Sequence, residues 1–560
     1  MLLAGCAVPA GTDAPSSALI VPTGPPMSQR AANAPDAAAY EALLDSFAAA
    51  CAQPGGSARV EQLYGQLLDG FDALATAAYL ADLAYDAAPD DGAAARQAEA
   101  NALYVDLSAQ ALGCLQQALD GPHAAQMRRL MAGADASFTE DDGAGTELLL
   151  QRENELQNQY TAAMSGDFTA VVDGESWTFA RLDDEGDTLD NAAYDAVWLA
   201  LSRRRNAAVG PLLLELAQVR RQLAEAYGYD SYTAYAYDAF FRDYTPAQAA
   251  ALEEQVLALF PPLYDALEDP VRDTEAWDAL SAEDDLSNEE LLSRAGQAMQ
   301  ALDPELGRLF AYLLENELYD MDFSAPGRGG GCYTVPLPLW RDAFIFYTRT
   351  WDPLAPSGLL HEFGHFAAFC QNTQPELFAL SPFDVSELQS QGLELLALSQ
   401  AETLYPGAAD SARYGTILTM LSLVTDSCMI NAFETALYDS PPATLDEVNR
   451  LWAAQQEAYG ISYYDTVDGL CYDWVEVYHL FASPLYYFSY CTSALAALDL
   501  WTRAQTAPAE ALATYKTLLA STQPYRATVK ACGLRDIFDP DQLADLTQEL
   551  RRVCREQGIG

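Results

Sequence analysis

The 560 residues carry 81 acidic against 29 basic side chains, a formal net charge of −52, and half of them are apolar. Such a surface repels phosphate backbones, which argues against a nucleic-acid partner, while the apolar and aromatic content argues against a chain lacking a packed core. The length allows one large helical body or two to three domains, and there is no run of about 18 apolar residues to span a membrane.

At the N-terminus, Leu3-Ala4-Gly5-Cys6 resembles the lipobox of bacterial lipoprotein precursors, which makes Cys6 an expected site of acylation. The basic and apolar segments that precede such a box in a full signal peptide are missing. From Ala7 to about Ala34 the chain is rich in Ala, Pro, Ser and Thr, as in a flexible tether. The expected location is extracytoplasmic, at the cell surface, with membrane contact only through that anchor; without the anchor, the protein is expected to be secreted or cytoplasmic. The other nine cysteines show neither C-x-x-C pairs nor a disulfide framework and read mostly as small buried hydrophobes.

From Pro35 to Asp167 apolar residues recur at three and four spacing, as in Tyr40, Leu43, Leu44, Phe47 and in Leu63, Leu67, Leu68, Phe71, which predicts helices. His123 follows the Gly121-Pro122 joint and reads as an ordinary helix-start residue. A hairpin is expected from Phe168 to Val172 and Ser176 to Phe179 around Asp173-Gly174. Helices resume from Asn191 to Gln300, and Ala301 to Asp320 predicts another. Ser324 to Gly331 is a glycine-rich loop, and Ala343 to Thr348 a strand. Asp352-Pro353 then offers a capping carboxylate and a first-turn proline to a further helix.

That helix carries His361-Glu362-Phe363-Gly364-His365. Residues four apart share a helix face, so both imidazoles reach one metal ion, with Glu362 beside any water it holds. This is the H-E-x-x-H pattern of zinc hydrolases, in which the metal acidifies a water and the glutamate takes its proton. The bland alternative is a helix with two structural histidines. A catalytic zinc site needs a third protein ligand and one open position. The helix expected after Pro382 offers Asp384, Glu387 and Glu394. Glu387 and Glu394 lie two turns apart on one side, so by spacing either could bind the metal while the other holds an imidazole.

Val385-Ser386-Glu387-Leu388-Gln389-Ser390-Gln391 resembles the third-ligand helix of the thimet oligopeptidase and oligoendopeptidase F family of zinc peptidases. Pro326 to Tyr333 is similar to that family's glycine-rich loop, Phe344 to Tyr347 to its active-site edge strand, and Arg205-Asn206 to Tyr232 to its R-N-x-x-A and G-Y-x-S-Y helix, with Val209 in place of the alanine. Trp474 and His479, followed by the tyrosine-dense run to Tyr490, resemble its Trp-x4-His segment. The resemblance spans roughly Asn191 to Phe538. It implies that Glu387 is the metal ligand, that Glu394 supports it, and that His479 and Tyr490, with Tyr486 and Tyr487, bind the oxyanion of the scissile carbonyl. Donors aimed at that oxygen stabilise charge that appears only in the transition state. Otherwise these tyrosines would be a core stripe at helical spacing. The chain departs from the family in having Phe366-Ala367-Ala368-Phe369 where a further histidine often follows, and the tyrosine segment aligns only with a one-residue shift.

The resemblance implies a mainly α fold, a large helical metallopeptidase body enclosing a substrate channel with a small β-sheet at the active site. Three stretches are expected: 1–35 as lipobox remnant and tether, 36–205 as an N-terminal helical region with one hairpin, and 206–560 as the catalytic domain. The implied activity is hydrolysis of short peptides by a monomer holding one zinc ion. The strand Ala343 to Thr348 is expected to offer a free edge to the substrate backbone. Alternatives are a zinc carboxypeptidase or dipeptidyl carboxypeptidase of a related helical family, or an inactive surface lipoprotein that captures peptides.

Overall fold

The computed structural model describes residues 18–30, 36–131, 146–164, 166–282, 286–321, 328–329, 331–348, 353–379, 382–461 and 470–559; Cys6 and most of the glycine-rich loop lie outside them. The fold is mainly helical. The chain divides into two compact units that alternate along the sequence, one of Met1–Thr139, Leu263–Leu421 and Thr492–Gly560, the other of Glu140–Pro262 and Ser422–Cys491. The expected boundary at 205/206 falls inside the 36-residue helix Asn191–Ala226.

In the first unit, helices Ala37–Cys51, Ser57–Ala87 and Asp91–Leu119 pack around Phe47, Leu67, Phe71 and Leu115, the face that the three-and-four spacing picks out. Asp36 and Asp90 cap the first and third, accepting from the amides of Ala39 and Ala93. His123 sits at the start of helix Ala124–Leu130, where its ring meets the Gln126 side chain and the carbonyls of Gln53 and Gly55. Residues 18–30 are not a free tether. The Leu19 amide donates to Glu305, the Ile20 amide to Gln371 and the Gly24 amide to Tyr312, and Arg30 forms a buried two-point ion pair with Asp342 at 2.8 and 2.6 Å. An anchored charge inside the body outweighs a composition that favours flexibility.

The described residues include strands β1 (Ala170–Val172), β2 (Glu175–Trp177), β3 (Tyr319–Asp320), β4 (Cys332–Leu337) and β5 (Asp342–Tyr347). The first two form the expected hairpin in the second unit; Asp173 and Gly174 both take positive φ, at 51° and 83°, as a primed two-residue turn requires. The other three form a sheet in the first unit in the order β3-β5-β4. Two expectations fail here. The helix expected to run to Asp320 ends at Glu315, and Glu317, at φ 54°, turns the chain into β3. The strand expected to be the free edge, β5, is the central one, parallel to β3 and antiparallel to β4 along its whole length. β4 has no alternating apolar pattern and carries Pro336, which cannot donate to a ladder and suits an outer strand.

One helix among the described residues, Ala409–Asp439, is long and apolar enough to cross a membrane, and 72% of its most apolar window is buried inside the protein. Nine cysteines are described: six are buried, Cys114 and Cys532 are half-buried and Cys332 is exposed.

Candidate active site

The helix Ala355–Gln371 opens with Pro356 in its first turn and Leu354 at its cap; Asp352, the expected cap, lies outside the described residues. It lies across β4 and β5 on one side and against helix Phe383–Ala397 on the other, and two contacts fix its rotation. Gly364 meets the second helix so closely that a Cβ there would stand 2.6 Å from Ser390 Cα and 2.9 Å from the Gln389 carbonyl oxygen. On the sheet side, the Thr334 hydroxyl reaches the Glu362 carboxylate at 2.8 Å and the Glu362 carbonyl at 3.0 Å. The remaining face directs His361 and His365 at the second helix, their rings 5.0 Å apart.

The second helix begins at Phe383, directly after Pro382 as expected, and brings up Glu387. Glu387 Oε2 lies 3.4 Å from His361 Nε2 and 3.8 Å from His365 Nε2. Glu394, two turns on, lies 3.4 Å from the opposite ring nitrogen of His361, Nδ1. Spacing left the two glutamates interchangeable; the helix–helix contact separates them. Asp384 is buried and, among the described residues, belongs to no metal-capable group. Among the described residues, His361, His365 and Glu387 are the one set of three His, Cys, Asp or Glu side chains whose ligand atoms all lie within 4.8 Å of one another.

Two further residues complete the site. Ser386 Oγ lies 3.2 Å from His365 Nδ1, doing for this imidazole what Glu394 does for His361. Thr334 holds Glu362. Ser386 could have been suspected from its place beside Glu387; Thr334, 28 residues before Glu362, carries no sequence signal.

Burial pushes the Glu362 carboxyl up to about 7, against the opposing pull of His361 and the Thr334 hydroxyl. Burial lowers His365 to about 4. Burial also opposes charge on His361, but bonds to Glu387 and Glu394 outweigh it and raise that ring above its usual range.

The donor set fits zinc. Bonds of about 2.0–2.1 Å at tetrahedral angles place ligand atoms roughly 3.3 Å apart, and two imidazoles with one carboxylate leave a fourth position open. The observed 3.4 and 3.8 Å separations need only a small contraction.

In the second unit, helix Tyr478–Ala482 carries His479, and a short turn leads to helix Phe488–Ala504. Tyr486, Tyr487 and Tyr490 gather round the imidazole with ring centroids 5.3, 5.2 and 5.8 Å from it, and the Tyr490 hydroxyl lies 3.5 Å from Nε2. All four side chains are half-buried, unlike a core stripe. Arg205, in the R-N segment, pairs with Glu476, and Asn206 bonds Asn449, which also accepts from the Trp474 indole.

This mainly helical fold is that of solved oligoendopeptidase F structures. A 3.1 Å crystal structure provisionally assigned as an oligoendopeptidase F superposes with a TM-score of 0.78 at 20% identity, over 95% of this chain and 99% of that one. PZ peptidase A in complex with an inhibitor gives 0.77 at 18% identity, over 94% and 99%. A structure from Bacillus anthracis strain Ames, again provisionally assigned as an oligoendopeptidase F, gives 0.75 at 16% identity, over 95% and 99%. No protein-family model and no curated protein sequence matches this chain.

Proposed function

We propose that this protein is a zinc-dependent metallopeptidase that hydrolyses bonds within short peptides. The observation that carries this reading is the His361, His365 and Glu387 triad closed to within 4.8 Å beside a buried glutamate. The similar structures are named as peptidases, which agrees with it. A zinc ion held by these three side chains would acidify a water and polarise the carbonyl of the bond to be cut. Glu362 takes the proton of the attacking water and passes it to the leaving amine. Thr334 keeps that carboxylate in one rotamer, and Glu394 and Ser386 orient the two imidazoles. β4, which has β5 as its strand neighbour, is the edge on which an extended peptide would add a strand, giving recognition mostly through backbone. By resemblance, His479 and Tyr490, with Tyr486 and Tyr487, donate to the oxyanion. By its sequence motif, Cys6 carries a lipid that anchors the protein outside the cytoplasm.

Glu362→Gln tests the central assignment. Its metal content should equal that of the unaltered protein while cleavage of a quenched peptide falls by at least about a hundredfold. A variant that cleaves at the original rate would remove Glu362 from the reaction. A peptide blocked at its C-terminus should still be cut, which an exopeptidase needing the free carboxylate would not do.

A further inference from the structure

The turn that presents the tyrosines is held in an unusual way. Leu485, directly before Tyr486, has φ 64°, in the left-handed region that a residue with a Cβ rarely enters, and its side chain is fully buried. Both polar groups of this residue's backbone are gripped by buried ionisable side chains. Its amide donates to Glu434 Oε1 at 2.8 Å, and its carbonyl accepts from Arg242 Nη2 at 2.8 Å. Arg242 also donates to Ser489 at 3.1 Å, one residue before Tyr490. Its guanidinium is set among the rings of Tyr237, Phe240, Tyr244 and Phe488, 4.5 to 5.7 Å from their centroids. All of these residues lie in the second unit.

A core does not need this arrangement. A buried acid and a buried base are often matched or bettered by apolar side chains of the same volume. Here the second oxygen of Glu434, Oε2, is buried with no hydrogen-bond partner, a cost with no return in packing. What the pair does secure is one peptide conformation. The Ser483 amide already closes on the His479 carbonyl and the Tyr486 amide on the Ser483 carbonyl, so the direction taken at Leu485 sets where Tyr486, Tyr487 and Tyr490 leave the chain relative to His479.

We infer that Glu434 and Arg242 are positioning residues that clamp the Leu485 backbone in its left-handed turn and thereby hold the three tyrosines around His479. They touch no substrate and act through the aim of the hydroxyls. Such donors must be fixed before the charge develops, because a reorganising donor gives back much of its stabilisation. The consequence for turnover rests on the proposed role of His479 and Tyr490; the consequence for the ring cluster does not.

The test compares Glu434→Gln, which keeps an acceptor for the Leu485 amide, with Glu434→Leu, which has similar bulk and no acceptor. Four histidines make the imidazole NMR spectrum assignable by single replacement, and His479, among three rings, should show displaced ring resonances. In Glu434→Leu those resonances should move while His123 stays in place, and kcat should fall about tenfold to a hundredfold at unchanged KM and metal content. In Glu434→Gln both readouts should stay near those of the unaltered protein. If the leucine variant keeps the original His479 resonances and kcat, the clamp is refuted; if the glutamine variant is as damaged as the leucine one, the accepting oxygen is not what matters and the inference falls. Should the leucine variant fail to fold, the Leu485 amide of the unaltered protein decides: it should exchange slowly with solvent, and fast exchange would overturn the clamp. His479→Ala and Tyr490→Phe separate the two layers. If both turn over normally, the oxyanion assignment fails while the spectroscopic prediction stands; if both lose turnover and Glu434→Leu does not, the clamp fails alone.

Discussion

Gly364→Ala puts the proposed metal centre and the helix contact beneath it to a single test. A Cβ at this position would stand 2.6 Å from Ser390 Cα, whereas ordinary contact begins at 3.4 Å, so the backbones of the two helices must part by about 0.8 Å. Neither neighbour is a flexible side-chain end; both are main-chain atoms of helix Phe383–Ala397, so the strain cannot be relieved by a rotamer change. Overpacking of this kind costs roughly 1–3 kcal/mol, a fall in melting temperature of about 1–4 °C for a body of this size. The larger effect should be on the metal, because the displaced helix carries Glu387 and the fixed one both histidines. Ligand distances tolerate about 0.2 Å, so a shift several times larger should weaken metal affinity at least tenfold. The assay is zinc content after dialysis against a graded chelator, with a thermal melt alongside. Gly392→Ala is the control: it adds the same methyl to the same helix, where its nearest neighbours are Tyr515 side-chain atoms at 3.4 Å, and should cost little. A Gly364→Ala protein with unaltered melting and chelator competition would refute the claim that this contact sets the ligand geometry.

Ser386→Ala should keep the fold but release the His365 ring, lowering metal affinity by about tenfold to a hundredfold in chelator competition, with Ser386→Thr closer to the original. Asp342→Asn should strand the buried Arg30 charge and cost about 3–5 kcal/mol in denaturant melts, showing that residues 18–30 belong to the folded body. Two buried acids of the second unit should make stability fall as pH rises: burial pushes Glu253 up to about 7 and Glu434 up to about 8, from an ordinary 4.5. Because the folded form prefers the proton, their contribution is complete below about 4.5 and is lost between there and about 8, on the order of 3–5 kcal/mol from Glu434 alone. The stability difference between the unaltered protein and a Glu253→Gln, Glu434→Gln variant should therefore grow in favour of the variant from pH 5 to pH 8, and a difference flat across that range would contradict it.

What the sequence determined by itself was local. His361 and His365 share a face because 3.6 residues make a turn, the Asp173-Gly174 hairpin follows from backbone conformations those two residues tolerate, and the helical spacing of Tyr40 to Phe71 names its own buried face. Resemblance to a family added the nomination of Glu387. Tertiary structure decided the rest. Glu387 and Glu394 are equivalent by spacing, and only the crossing of two helices at Gly364 gives one to Nε2 and the other to Nδ1 of the same imidazole. Thr334 meets Glu362 across a sheet, β5 became central because β4, weakly patterned and bearing Pro336, took the outer place, and the two units draw on separated stretches of chain. A helical period acts over one turn of covalent backbone, so it can be read from neighbours in sequence. Which surfaces meet is set by packing between residues tens to hundreds of positions apart, and no short pattern encodes it.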